Sequence, residues 1–283
     1  MKILQKSFSG MLRCYRAILL AATFAGLVLQ SQAQSYVLSS GNSSIQVDLN
    51  GGVYNWMVDG VNQLSQQWFY YRLGNSTGEN PLQNISSPAI NSSSATSVDA
   101  TYTGSSYSVR TAYQLTGQAN GSGRANLSET IVLRNTSTTD HFYFFQYSDF
   151  DLAGISTGQS VQFYPNNYGQ YYQAVQTGAN GAGVTETVNG LTSQLVAVQA
   201  DSYGQILLSL TDGSPTTLNN TLSTGPAGNA TFAYEWDIAP GQTVIISKLL
   251  AVVPEPSPMA LMSSGILILS LLGRRRSART SVA

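Results

Sequence analysis

Residue pairs suited to tight turns punctuate the middle of this chain: Asn50-Gly51-Gly52, Asp59-Gly60, Asn120-Gly121, Asp212-Gly213 and Pro240-Gly241. Glycine supplies the positive φ that such connections need, and Asn and Asp tolerate it better than most residues. Long runs of Ala, Leu, Glu and Lys are missing, so nothing competes with these turns by propagating a helix. Instead, short stretches alternate apolar with polar residues, the period of a strand with one buried face. Residues 124–134 show it most clearly, with Ala125, Leu127, Ile131 and Leu133 on one side; 44–49 and 67–73 follow the same rule. Strands are also expected over 98–103, 107–115, 141–150, 195–199, 205–210, 231–238 and 243–252. Ten to fourteen short strands without helical periodicity predict an all-β, antiparallel β-sandwich, with closure into a barrel as the alternative. No fixed-period repeat points to a solenoid or propeller. Residues 75–96, rich in Ser and Asn with Pro81 and Pro88, and residues 178–190 read as long loops.

The two ends have a different composition. Lys2, Lys6, Arg13 and Arg16 precede an apolar run from Ala17 to Leu29, and Ser31-Gln32-Ala33 then offers small residues where a signal peptidase cuts. Residues 1–33 are therefore expected to be a signal peptide cleaved after Ala33. Cys14, the single cysteine, lies within it, so residues 34–253 have no disulfide, thiolate ligand or cysteine nucleophile. At the other end, Pro254-Glu255-Pro256 leads into an apolar stretch from Met259 to Leu272, closed by Arg274, Arg275 and Arg276. An apolar segment of barely spanning length followed by a basic cluster reads as a transmembrane stop-transfer helix whose last residues stay inside. A permanent anchor is the other reading; a lipid-anchor signal would end in its apolar tail and not in arginines.

Residues 254–283 resemble the PEP-CTERM sorting signal of exported bacterial proteins. The resemblance implies recognition by an exosortase-type membrane transpeptidase and removal of the tail near Pro254–Pro256. It also implies a Gram-negative host that makes exopolysaccharide. The expected destination is the cell surface or the extracellular matrix, with signal peptidase and the transpeptidase as processing partners.

Between the signals, residues 34–253 hold thirteen acidic side chains against five basic ones, Arg72, Arg110, Arg124, Arg134 and Lys248, a formal −8. Such a surface suits a soluble extracellular domain and leaves no basic patch for nucleic acid. Lone His141 builds no multi-histidine zinc site, and nucleotide-binding loops and the Gly-x-Ser-x-Gly elbow are absent. No cofactor is implied.

The densest chemistry lies in residues 141–151. As a strand it would place Phe142, Phe144 and Phe150 on one face and Tyr143, Phe145, Tyr147, Asp149 and Asp151 on the other. Tyrosines ending in two carboxylates could stack on sugars, hydrogen-bond hydroxyls or hold calcium. Alternatively both faces are buried and the aspartates cap a turn into Leu152-Ala153-Gly154. Glu129 interrupts an apolar strand face and needs a partner if buried; such a glutamate sits at a strand edge or bulge, pairs with an arginine, or does acid–base work. Residues 164–172, with Tyr168 and Tyr171, read as an aromatic, amide-rich recognition loop or as the cover of a sheet edge. Trp56, Trp68, Tyr70 and Tyr71 read as packing.

Residues 51–60 faintly resemble the opening hairpin of the galactose mutarotase-like sugar-binding sandwiches, which implies a large supersandwich. Three functions follow as expectations. The first is a non-enzymatic surface or matrix protein contacting exopolysaccharide. The others are a carbohydrate-active enzyme using Glu129, Asp149 and Asp151, and a calcium-stabilised adhesion domain.

Overall fold

The computed structural model describes residues 34–254 except 76, 191–193 and 227. The expected processing residues Ala33, Glu255, Pro256, Arg274, Arg275 and Arg276 lie outside them; Pro254 is the last residue described.

Two antiparallel sheets face each other. In chain order the strands are β1 (Ser35–Ser40), β2 (Ser43–Asp48), β3 (Gly52–Val58), β4 (Val61–Asn62), β5 (Gln66–Leu73), β6 (Asn80–Pro81), β7 (Ala89–Ser93), β8 (Ser97–Thr103) and β9 (Tyr107–Gly117). There follow β10 (Ala125–Asn135), β11 (Phe142–Asp149), β12 (Ser160–Pro165), β13 (Tyr171–Thr177), β14 (Gly183–Gly190), β15 (Leu195–Ser202), β16 (Ser223–Thr224), β17 (Ala230–Ile238) and β18 (Thr243–Val253). The first sheet runs β1-β2-β3-β5-β11-β17-β15, with β4 and β6 attached to β3 and β5; the second runs β16-β12-β13-β14-β18-β10-β9-β8-β7. The all-β antiparallel sandwich expected from the turns and alternation is the observed architecture.

One apolar core fills the space between the sheets. Phe69, Phe144 and Trp236 from the first sheet share it with Leu127, Ile131 and Leu250 from the second. Alternation built it: in β10 every second side chain from Ala125 to Asn135 is buried. The Asp59-Gly60 turn joins β3 to β4 as a two-residue hairpin, with φ of 50° and 80° and Val58 opposite Val61. Gly52 serves a different purpose, because a Cβ there would lie 1.9 Å from the Gln67 carbonyl oxygen.

Three expectations change. Residues 205–210 form a helix, α1 (Gln205–Thr211), and not a strand. Ile206 and Leu210, one turn apart, are buried, whereas Leu208 is 64% exposed; a strand would have put all three on one face. The stretch 178–190 contains β14, whose inward face is Val184, Glu186 and Val188, so a buried acid disguised its alternation. The stretch 75–96 contains β6, a short 3-10 turn at Leu82–Asn84, and β7, an edge strand that is mostly exposed and so has no apolar face to recognise.

Candidate functional site

Strand β11 lies inside the first sheet, between β5 and β17. Its inward side chains Phe142 and Phe144, with Phe150 beyond its end, join the main core. The outward ones form rungs with their neighbours: Arg72–Tyr143–Asp237, Tyr70–Phe145–Glu235, Trp68–Tyr147–Ala233 and Gln66–Asp149–Thr231. The division of faces matches the sequence reading, but the outer face is covered. Ile206 and Leu210 of α1, together with Leu218, pack on Tyr70, Phe145, Tyr147 and Ala233 as a second apolar cluster. Tyr147 is fully buried and Tyr143 partly so.

Polar contacts fasten this cover. The Arg72 guanidinium lies 4.1 Å from the Tyr143 ring centre, pairs with Glu79 at 3.1 Å and donates to the Thr216 carbonyl at 3.2 Å. Glu79 accepts from the Thr216 amide and hydroxyl, both at 2.8 Å. The Glu235 carboxylate accepts from the Leu218 amide at 2.9 Å; burial pushes its pKa up to about 7, against the lowering effect of that bond and of Arg72. His141, at the other end of β11, meets Asp237 at 2.6 Å.

Asp149 closes β11 in a buried position. Burial, then the nearby Asp151 carboxylate, raise its pKa to about 6. Asp151 stands at the start of the 3-10 turn Leu152–Gly154, but its side chain makes no capping bond. The turn is closed by the backbone, with the Gly154 amide donating to the Asp151 carbonyl at 2.8 Å.

Glu129 faces inward from β10, directly opposite Lys248 of β18, and the two form a wholly buried ion pair. Lys248 also reaches Glu186 of β14 at 3.3 Å. Glu186 accepts in turn from Gln146 at 2.7 Å and from Gln67 at 3.3 Å, side chains of the first sheet. Burial raises the Glu129 pKa and Lys248 opposes the rise. The partner is thus a lysine in mid-sheet, neither an arginine nor a strand edge. Glu129 and Asp149 lie on opposite sides of the first sheet, so the geometry does not bring them to one substrate. The network had a sequence signal: Lys248 sits between Ile246 and Leu250, as Glu129 does between Leu127 and Ile131.

Residues 164–172 form the hairpin between β12 and β13. Asn166 organises its tip: the carboxamide oxygen accepts from the Tyr168 amide at 2.9 Å and the Gln170 amide at 3.0 Å, while its nitrogen donates to the Gln170 side chain at 3.0 Å. Tyr168 is 89% exposed and Tyr164 47% exposed, whereas Tyr171 packs against the main core. The six tyrosine and aspartate candidates therefore divide between the covered face of the first sheet and a hairpin of the second. Trp56 is buried and donates to Ser43 at 2.9 Å, as packing predicts.

A cavity of about 260 Å³ opens beside the end of β18, lined by Val58, Val61, Ala153, Val252 and Pro254 with Asp59. The Asp59 carboxylate is engaged already, accepting from the Gly121 and Gly123 amides and from Asn42; these bonds hold its pKa below the usual value. No three His, Cys, Asp or Glu side chains converge among the described residues.

No protein-family model matches the sequence, and no curated protein sequence does. Among solved structures, the chain is similar to a bacterial glucoamylase complexed with acarbose, with a TM-score of 0.57 and 11% identity. The match covers 82% of this chain and 34% of the glucoamylase, so the likeness is to part of that enzyme and is one of fold.

Proposed function

We propose that this chain is an exported cell-surface or matrix protein whose β-sandwich contacts extracellular polysaccharide without cutting it, through the hairpin bearing Tyr164 and Tyr168. The observation that carries the reading is the Asn166-locked tip, which presents an almost fully exposed tyrosine on an ordered turn. An aromatic ring held in place beforehand offers a sugar an apolar face at little cost in entropy. Neighbouring amides can bond hydroxyl groups. The sequence supports the address, through the signal-peptide features before Ala33 and the Pro254-Glu255-Pro256 tail with its arginines. We read the domain as a mutarotase-like supersandwich, a kinship that carries no activity by itself.

A carbohydrate-active enzyme remains the second reading. Paired glycosidase carboxylates face one substrate across roughly 5–9.5 Å. Glu129 is ion-paired in the core, so this reading would have to rest on Asp149 and Asp151 alone.

The test is to present the full chain to an array of bacterial exopolysaccharides and measure both retention and released reducing sugar. The double variant Y164A/Y168A is expected to bind roughly tenfold more weakly, about 1 kcal/mol or slightly more for the two rings, with no sugar released by either protein. Unchanged binding by the double variant would move the contact elsewhere, and release would favour the enzyme. For the address, replacing Pro254, Glu255 and Pro256 with alanine is expected to leave the chain uncleaved in the membrane fraction.

A further inference from the structure

The outer end of β11 gathers oxygen atoms that lack partners. Asp149 is 1% exposed, and its Oδ1 makes no hydrogen bond. The Oδ1 atoms of Asp151 and Asn229 are likewise buried and unbonded. These groups are neighbours. The Asp151 carboxylate repels the Asp149 carboxyl, the Asn229 and Ser65 side chains hydrogen-bond to it, and it in turn acts on the Tyr147 phenol. The fold explains the convergence: Asp149 pairs with Thr231 on β17, Asn229 immediately precedes that strand, and the Ser65 amide donates to the Asp149 carbonyl at 3.0 Å.

Each buried acceptor without a donor costs about 1–3 kcal/mol, and a charged one more. Here two are carboxylates, and neither forms an ion pair among the described residues: Arg72 pairs with Glu79, Arg110 with Asp99, and Lys248 with Glu129 and Glu186. A proton shared between the aspartates would neutralise one charge but leave the Asn229 oxygen unsatisfied. A hard divalent cation meets both carboxylates at once and takes the Asn229 oxygen when that amide turns its nitrogen away from Asp149, and the absence of imidazole and thiolate from the patch favours calcium over softer metals.

We propose that Asp149, Asp151 and the side-chain oxygen of Asn229 form a calcium site that ties the end of β11 to the start of β17. Water completes the coordination shell, and Tyr147 and Trp68 flank the site on the adjacent rung. The inference is independent of the polysaccharide contact, which lies on the other sheet.

The full chain, stripped with EDTA, would be melted in calcium-free buffer and again with calcium at about one hundred times its Kd. Binding to the folded state alone is expected to raise Tm by about 5 °C or more. Terbium added in place of calcium should luminesce when Tyr147 and Trp68 are excited. D149N and D151N should each abolish both responses; because Asp151 is only half-buried, its variant tests the site even if the first folds poorly. A rise in Tm that persists in D151N would place the cation elsewhere and overturn the assignment. No rise at millimolar calcium and no terbium luminescence would overturn it as well, leaving a shared proton.

Discussion

Lys248 holds the charge balance of the interior, because two carboxylates from different strands converge on its one ammonium. Lys248→Met should cost about 3–5 kcal/mol in urea denaturation, since it strands buried charge; replacing Glu129 with leucine, Lys248 with methionine and Glu186 with glutamine together, so that no carboxylate is left without its cation, should cost far less. Glu235 and Asp149 set the pH dependence. Both carboxyls titrate higher when folded, near 7 and 6 against ordinary values of 4.5 and 3.8, so the folded state binds their protons more tightly. Their stabilising contribution is complete below the ordinary values and is lost as pH rises through 6 and 7, up to about 3 kcal/mol for each group. In calcium-free buffer the urea midpoint should accordingly be higher at pH 5 than at pH 8. Glu235→Gln, which keeps an acceptor for the Leu218 amide, should stabilise the protein at pH 8 and flatten the profile. At this scale the sequence exposed Glu129 as an oddity on an apolar face. The partners sit 119 residues away from Glu129 and 62 residues from Glu186, separations that local pattern cannot bridge.

Elements were legible where one face is apolar and the other wet, as in β10, and obscure where tertiary burial decides. Ile206 and Leu210 fit a strand and a helix equally; only the cover they provide over Phe145 and Tyr147 separates the two. Leu210→Ala should therefore cost about 2–5 kcal/mol in thermal or urea melts, whereas Leu208→Glu should change stability by less than about 0.5 kcal/mol. Comparable losses from both would restore the strand. Gly52→Ala should cost about 1–3 kcal/mol, because its methyl group meets the backbone of β5 and neither strand can yield alone. The same covering explains why the tyrosines of β11 read as a ligand platform in sequence: spacing reveals which side chains share a face and is silent about what lies over it.

The molecule as a whole was legible through its turns, which predicted a two-sheet sandwich without predicting the order of strands within the sheets. The main core is shared by both sheets, and a polar network bridges them from Glu186 to Gln146 and Gln67, so the larger interior belongs to neither sheet alone. Tryptophan fluorescence and far-ultraviolet circular dichroism should thus report coincident unfolding transitions; separated midpoints would mean that the sheets melt independently. The topology also orders events in time. Strand β18 joins β10 to β14, and among the described residues it is the only link on the sheet path between the meander β7–β10 and the strands β12–β14. Until residues 243–253 emerge from the ribosome, the second sheet is two unjoined pieces whose common interior is open. The strand that closes the second sheet at its centre is thus the last of the described strands to be made.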